Sequence, residues 1–136
     1  MSHIWSVTSF NEITREAQKT DRENLYSNSK TIKVPFITKC FSKSKGPVIA
    51  ATDYMRNYAE QIRKYVPLRY EVLGTDGFGR SDSRKELRYF FEVNANYIVF
   101  TSLKALVDDG LLDAKTIKRA IKKLNIDVNK SNPMYT

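Results

Sequence analysis

Residues 48–74 read VIAATDYMRNYAEQIRKYVPLRYEVLG. Val48-Ile49-Ala50-Ala51 is a short, fully apolar run entered through Gly46-Pro47, the pattern of a buried parallel strand. Thr52 or Asp53 can cap the helix that follows, on which Met55, Tyr58, Ala59, Ile62 and Val66 share one face. Pro67 ends that helix, because its ring clashes with the preceding turn and it has no N–H to donate. Arg69 to Gly74 then reads as a strand again. Strand and helix signals that alternate in this way predict an α/β domain with a largely parallel sheet.

Upstream, His3 to Thr8 is rich in β-formers and alternates in polarity, so a strand is expected there. Ser9-x-x-Glu12 has the spacing of a capping box and opens a helix running to about Gln18. Thr20 to Lys45 is polar and predicts a long surface excursion anchored by Val34-Pro35-Phe36-Ile37. Downstream, Ser83-x-x-Glu86 starts a short helix with Leu87, Phe90 and Phe91 on one side. Asn94 can cap a helix from Ala95 to Asp109 whose apolar positions nearly encircle it, so it should be well buried. Gly110 closes it, Asp113 caps the last helix, and Asn125 to Thr136 is expected to be a surface extension. No internal repeat is present.

Length and composition set bounds. The 136 residues suit one domain, and 41% hydrophobic content is enough for a core. No apolar run reaches the roughly 20 residues needed to cross a bilayer. Met1 to Trp5 lacks the regions of a signal peptide, and a single Cys40 suits a reducing compartment. The expected location is the cytoplasm. A net charge of +8 raises nucleic acid as a partner. The excess is thinly spread, however: residues 1–50 carry 8 basic and 4 acidic groups, residues 51–100 carry 8 and 7, and the remainder 7 and 4. Lys115, Lys118, Arg119, Lys122 and Lys123 form the densest cluster, opposite Ile117, Ala120, Ile121 and Leu124, which fits the solvated side of an amphipathic helix. The reading is no nucleic acid and no membrane.

Chemistry concentrates in Gly74-Thr75-Asp76-Gly77-Phe78-Gly79-Arg80-Ser81-Asp82, between a strand and a helix, where ligands of open α/β sheets bind. A dinucleotide fingerprint is disfavoured, since its third glycine would fall where Asp82 stands. The favoured reading is a tight turn needing positive φ at its glycines, Gly79 among them. Asp76 and Asp82 as an acid/base pair is disfavoured because Arg80 and Arg84 would hold both ionised. His3 is the sole histidine, at the chain's end, which argues against a triad. His3 and Cys40 cannot make a zinc site, and Cys40 reads as an inert thiol. Tyr89, Phe90 and Phe91 read as core and rim. No self-contained active site emerges.

Several stretches nevertheless carry a likeness: WSVTSFNE (Trp5 to Glu12), ATDYM with AEQIR and VP (Ala51 to Pro67), LGTDGFGRSDSR (Leu73 to Arg84), FFEV (Phe90 to Val93) and NIDVNKSNP (Asn125 to Pro133). In this order they resemble the C-terminal end of the homodimeric, bacterial-type decarboxylating component of pyruvate dehydrogenase. The resemblance implies a single, partial transketolase C-terminal-like domain over 1–136. Its fold would have three layers, a mainly parallel sheet with helices on both faces, lacking its first strand and helix. It implies an oxidoreductase at the exit of glycolysis that decarboxylates pyruvate on thiamine diphosphate with magnesium and passes the acetyl group to a lipoyl arm. The implied partners are the remaining domains of the same enzyme, its homodimer mate and the lipoyl acetyltransferase component.

The chain departs from the family where Glu23 stands for a tryptophan, Ser27-Asn28 for His-Pro and Asn94 for an acidic cap. It also contains no Gly-Asp-Gly motif, since Thr75 precedes Asp76-Gly77. The expectation is therefore a structural, dimer-supporting part, inactive alone, with no catalytic, cofactor-binding or metal residue of its own. A stand-alone, non-catalytic interaction module or gene remnant is the alternative.

Overall fold

The computed structural model describes residues 2–136. Its elements are α1 (Phe10–Leu25), α2 (Phe36–Phe41), β1 (Val48–Ala51), α3 (Arg56–Glu60), β2 (Tyr70–Leu73), α4 (Arg84–Phe90), α5 (Ala95–Asp108) and α6 (Lys115–Lys123). Short 3-10 turns add Arg63–Tyr65 and Pro133–Tyr135. β1 and β2 form a two-stranded parallel sheet, with Val48 opposite Tyr70 and Ala50 opposite Val72. The α/β expectation and both of these strands hold.

Side chains alternate across a strand, so one face of the pair receives Val48, Ala50, Tyr70 and Val72. These join Ile37, Phe41, Ala59, Ile62 and Val66 in the core cluster. The Tyr70 hydroxyl, deep in this cluster, donates to the Ala59 carbonyl at 2.8 Å, and burial pushes its pKa well up. α5 packs against both strands, and α6 packs against α5.

The caps predicted at Ser9, Ser83 and Asn94 are in place. Ser9 accepts from the Glu12 N–H at 3.2 Å, Ser83 from Glu86 at 3.3 Å and Asn94 from Tyr97 at 3.0 Å. Asp113 accepts from the Lys115 N–H at 2.7 Å, and Gly110 adopts a φ of +72° after α5. The cationic residues of α6 are exposed while Ala120 is buried, as its amphipathic pattern requires.

Other expectations need correction. His3 to Thr8 is not a strand: it is exposed along its length, with Ile4 97% and Trp5 54% accessible. Among the described residues β1 and β2 pair only with each other, which leaves this segment without a ladder partner. α1 runs past Gln18 to Leu25, and α2 replaces part of the predicted excursion. The apolar anchor is the start of α2, whose Ile37 and Phe41 are buried. α3 stops at Glu60 instead of reaching Val66, and the 3-10 turn carries the rest. Neither Thr52 nor Asp53 caps it; Met55 stands at the N-cap position.

Only Tyr97 and Ala105 of α5 are buried, and Val99 is 45% exposed, because a sheet of two strands is too narrow to cover the helix. Finally, Asn125 to Thr136 is no free extension. Ile126 is buried, and Lys130 docks on the end of α4.

Candidate functional site

The loop after β2 is held tightly against the start of α3. A Cβ on Gly74 would lie 2.8 Å from the Tyr54 carbonyl oxygen and 2.9 Å from the Arg56 nitrogen, so a glycine is needed for this approach. Thr75 fixes the contact: its N–H donates to the Tyr54 carbonyl and its hydroxyl to the Asp53 carbonyl, both at 2.9 Å. Asp76 then faces Arg56. One carboxylate oxygen accepts the Arg56 backbone N–H at 2.9 Å, and the other accepts its guanidinium Nε–H at 2.5 Å. Burial alone would raise the carboxyl's pKa, but the hydrogen bonds from the Arg56 side chain and backbone outweigh it and hold it below its ordinary value.

This geometry corrects the predicted electrostatics. Asp76 is ion-paired with Arg56, not with Arg80 or Arg84. The Arg80 guanidinium stacks over the Phe90 ring at 4.1 Å, and Asp82 accepts the Ser83 N–H at 2.6 Å. Asp76 and Asp82 are thus spent on separate backbone contacts, which suits a structural turn. Gly77 has the left-handed φ of +106°, and a Cβ there would meet the Pro133 carbonyl oxygen at 2.6 Å. Gly79 has no left-handed φ, and a Cβ placed on it would meet no atom within 4 Å, so the strain expected at Gly79 belongs to Gly77.

The loop forms one wall of an open groove of about 280 Å³ at the carboxyl end of β2, with Arg56, Leu73 and Asp76 lining it. Glu92, Lys130 and Pro133 line it from the other chain segments. Both carboxylates of the groove already hold a cation: Asp76 holds Arg56, and Glu92 holds Lys130 at 3.2 Å. The charges of the groove pair with one another, which leaves neither carboxylate free as a proton acceptor. Among the described residues no cluster of three or more His, Cys, Asp or Glu is placed to hold a metal. His3 lies in the exposed N-terminal segment and Cys40 on α2; neither lines the groove. Arg56, Glu92 and Lys130 escaped the sequence reading. Glu92 lies in the FFEV stretch and Lys130 in NIDVNKSNP, but neither stretch signals the pairing of the two.

Comparison with known proteins places this geometry in a family. Residues 1–94 match the model of the transketolase-like TK C-terminal domain. The chain is similar to the pyruvate dehydrogenase E1 component of Cupriavidus necator, 49% identical over 133 residues, covering 98% of this chain and 15% of that protein. The proteins of the same name from Buchnera aphidicola subsp. Baizongia pistaciae and Escherichia coli K12 are 51% and 48% identical over 133 residues, each covering 97% of this chain and 15% of the relative. The chain therefore spans about 15% of the length of the curated relatives it matches, and the stretch it matches is their C-terminal portion. No helix among the described residues is long and apolar enough to cross a membrane. With its parallel β1–β2 pair, its helical packing and this match, the chain belongs to the transketolase-like C-terminal domain family.

Proposed function

We propose that this chain serves as the C-terminal, non-catalytic part of a homodimeric cytoplasmic enzyme that decarboxylates pyruvate on thiamine diphosphate and passes the acetyl group to a lipoyl arm. Its role is to brace the catalytic domains and support the dimer. The observation that carries this reading is the open side of the sheet. Ile4, Trp5 and Val7 are exposed on the N-terminal segment, whose Trp5 ring packs on Phe41 of α2, and β1 and β2 each have one unpaired edge among the described residues. Apolar side chains and bare ladders of this kind are the surface that a neighbouring strand or domain covers. With α1 to α3 around one face and α5 and α6 on the other, the same observation supports a three-layer domain whose sheet is continued by further strands.

The residues present do not fit thiamine diphosphate with magnesium. The groove carboxylates Asp76 and Glu92 are each neutralised by a cation of this chain, which leaves neither free to hold the metal. The partners proposed are the remaining domains of the same enzyme, its homodimer mate and the lipoyl acetyltransferase component.

Domain replacement tests the proposal. The matched stretch would be deleted from the Escherichia coli relative and then replaced by this chain. Deletion is expected to abolish dimer formation and pyruvate decarboxylation together, and replacement to restore both. An active, dimeric deletion variant would overturn the bracing role. A folded, dimeric but inactive replacement would favour a non-catalytic module diverged from the enzyme.

A further inference from the structure

The ammonium of Lys130 sits in a setting unlike that of the other ion-paired lysines. Its side chain is 13% exposed, whereas those of Lys19, Lys33, Lys64 and Lys104 are 51% to 78% exposed. It donates to the Tyr89 carbonyl at 3.0 Å, the Phe90 carbonyl at 2.5 Å and the Glu92 carboxylate at 3.2 Å. An ammonium has three N–H donors, and here each has an acceptor. The rings of Tyr89, Phe90 and Tyr97 stand around it, with centroids at 5.2, 5.6 and 5.3 Å. These distances lie inside the roughly 6 Å over which a ring face attracts a cation.

The surroundings come from residues that precede the lysine in sequence. Tyr89 and Phe90 end α4, so their carbonyls are the negative pole of that helix. Glu92, the residue after the Phe91 C-cap, takes a left-handed φ of +61°, and its carboxylate meets the cation. A compact, strongly hydrated charge gives up water only where such groups replace it. The acceptor set also discriminates. Magnesium wants a shell of oxygen ligands at about 2.0–2.1 Å, and rings cannot supply it. A guanidinium spreads five donors in a planar fork, which three converging acceptors do not match.

We propose that Tyr89, Phe90, Tyr97 and Glu92 form a binding site for a primary alkylammonium group, which the chain fills with its own Lys130. Occupancy of this site holds residues 126–134 against the loop after β2. Pro133 and Met134 pack so closely on Gly77 that a Cβ there would fall 2.6 Å from one and 3.1 Å from the other. The lysine is therefore a tethered ligand, and the segment carrying it forms one wall of the open groove.

The test uses the full chain with Lys130→Ala, which removes the atoms of a propylammonium ion. Amide exchange across residues 126–134 is the readout, with n-propylammonium chloride or n-propanol added. The variant is expected to exchange there about tenfold faster than the wild type. Propylammonium should restore protection, and propanol of equal size should not. Equal rescue by both would reduce the site to an apolar slot, and rescue by neither would remove it; either result overturns the proposal. If the variant does not fold, the wild-type chain decides: the Lys130 ε-methylene protons should be displaced by the ring currents, and unshifted resonances would overturn the site.

Discussion

Asp76 grips Arg56 twice, through the backbone N–H at 2.9 Å and the guanidinium at 2.5 Å, and thereby caps α3 from a loop 20 residues further along the chain. Asp76→Ala should loosen the loop and the helix start together, lowering stability by about 1–2 kcal/mol, as loss of a cap does. Asp76→Asn keeps an acceptor for the N–H and should lose less, because Arg56 is 44% exposed and its ion pair is screened by water. Urea melts of the three proteins check the order.

The same pair fixes a pH dependence. The carboxyl's pKa in the fold lies below its ordinary 3.8. Its contribution is therefore fully present above that ordinary value and is lost as pH falls through the lowered one. Wild type should exceed Asp76→Asn in stability at neutral pH, and the gap should close below about pH 4. A gap that persists unchanged into acid would mean the carboxylate charge contributes nothing.

Gly77 and Gly79 should respond in opposite ways to alanine. Gly77→Ala forces an L residue to a φ of +106° and drives a methyl into the Pro133 carbonyl, so a loss of about 1–3 kcal/mol is expected. Gly79→Ala meets nothing within 4 Å and should stay within about 0.5 kcal/mol of wild type. Equal effects at the two positions would contradict the loop geometry.

Titration calorimetry of the chain with thiamine diphosphate and magnesium should give no binding in the micromolar range. A micromolar dissociation constant would mean that the groove recruits the cofactor despite its internal ion pairs.

Amide exchange at residues 4–7 reports on whether the exposed N-terminal segment is covered. These amides should exchange freely in the 136-residue chain and become protected in a longer polypeptide that carries it. Ile4 is 97% exposed, and covering it would contribute about 1.5–3 kcal/mol. Identical exchange in both settings would remove the argument for a covering strand.

The elements legible in the sequence were those with a local cause. Ser9, Ser83 and Asn94 announce helix starts by their own side chains, and Val48 to Ala51 needs only its apolar run and the glycine-proline entry. Where the cause is distant, the reading failed. α1 continues to Leu25 through a polar stretch that carries no apolar period. Asp21 is instead held by Lys64 and by Tyr65 at 2.9 Å, and Asn24 by the Lys33 backbone at 2.8 Å. His3 to Thr8 has the composition of a strand, but a strand requires a neighbour, and its own pattern cannot supply one. The site followed the same rule. The turn at residues 74–82 was visible from its glycines, whereas its partners Arg56 and Pro133 lie far away in sequence and read as ordinary surface residues.

The sequence separation between Lys130 and its site also orders events during synthesis. The groups that receive the ammonium precede it by 38 to 41 residues. At roughly 5–20 residues per second, a ribosome takes about 2–8 s to cover that distance. Throughout that interval the carbonyls of Tyr89 and Phe90 and the carboxylate of Glu92 stand without the Lys130 ammonium. Docking of residues 126–134 is thus a late, long-range step that follows α4, and it carries a loop-closure cost that no contact within a single helix bears.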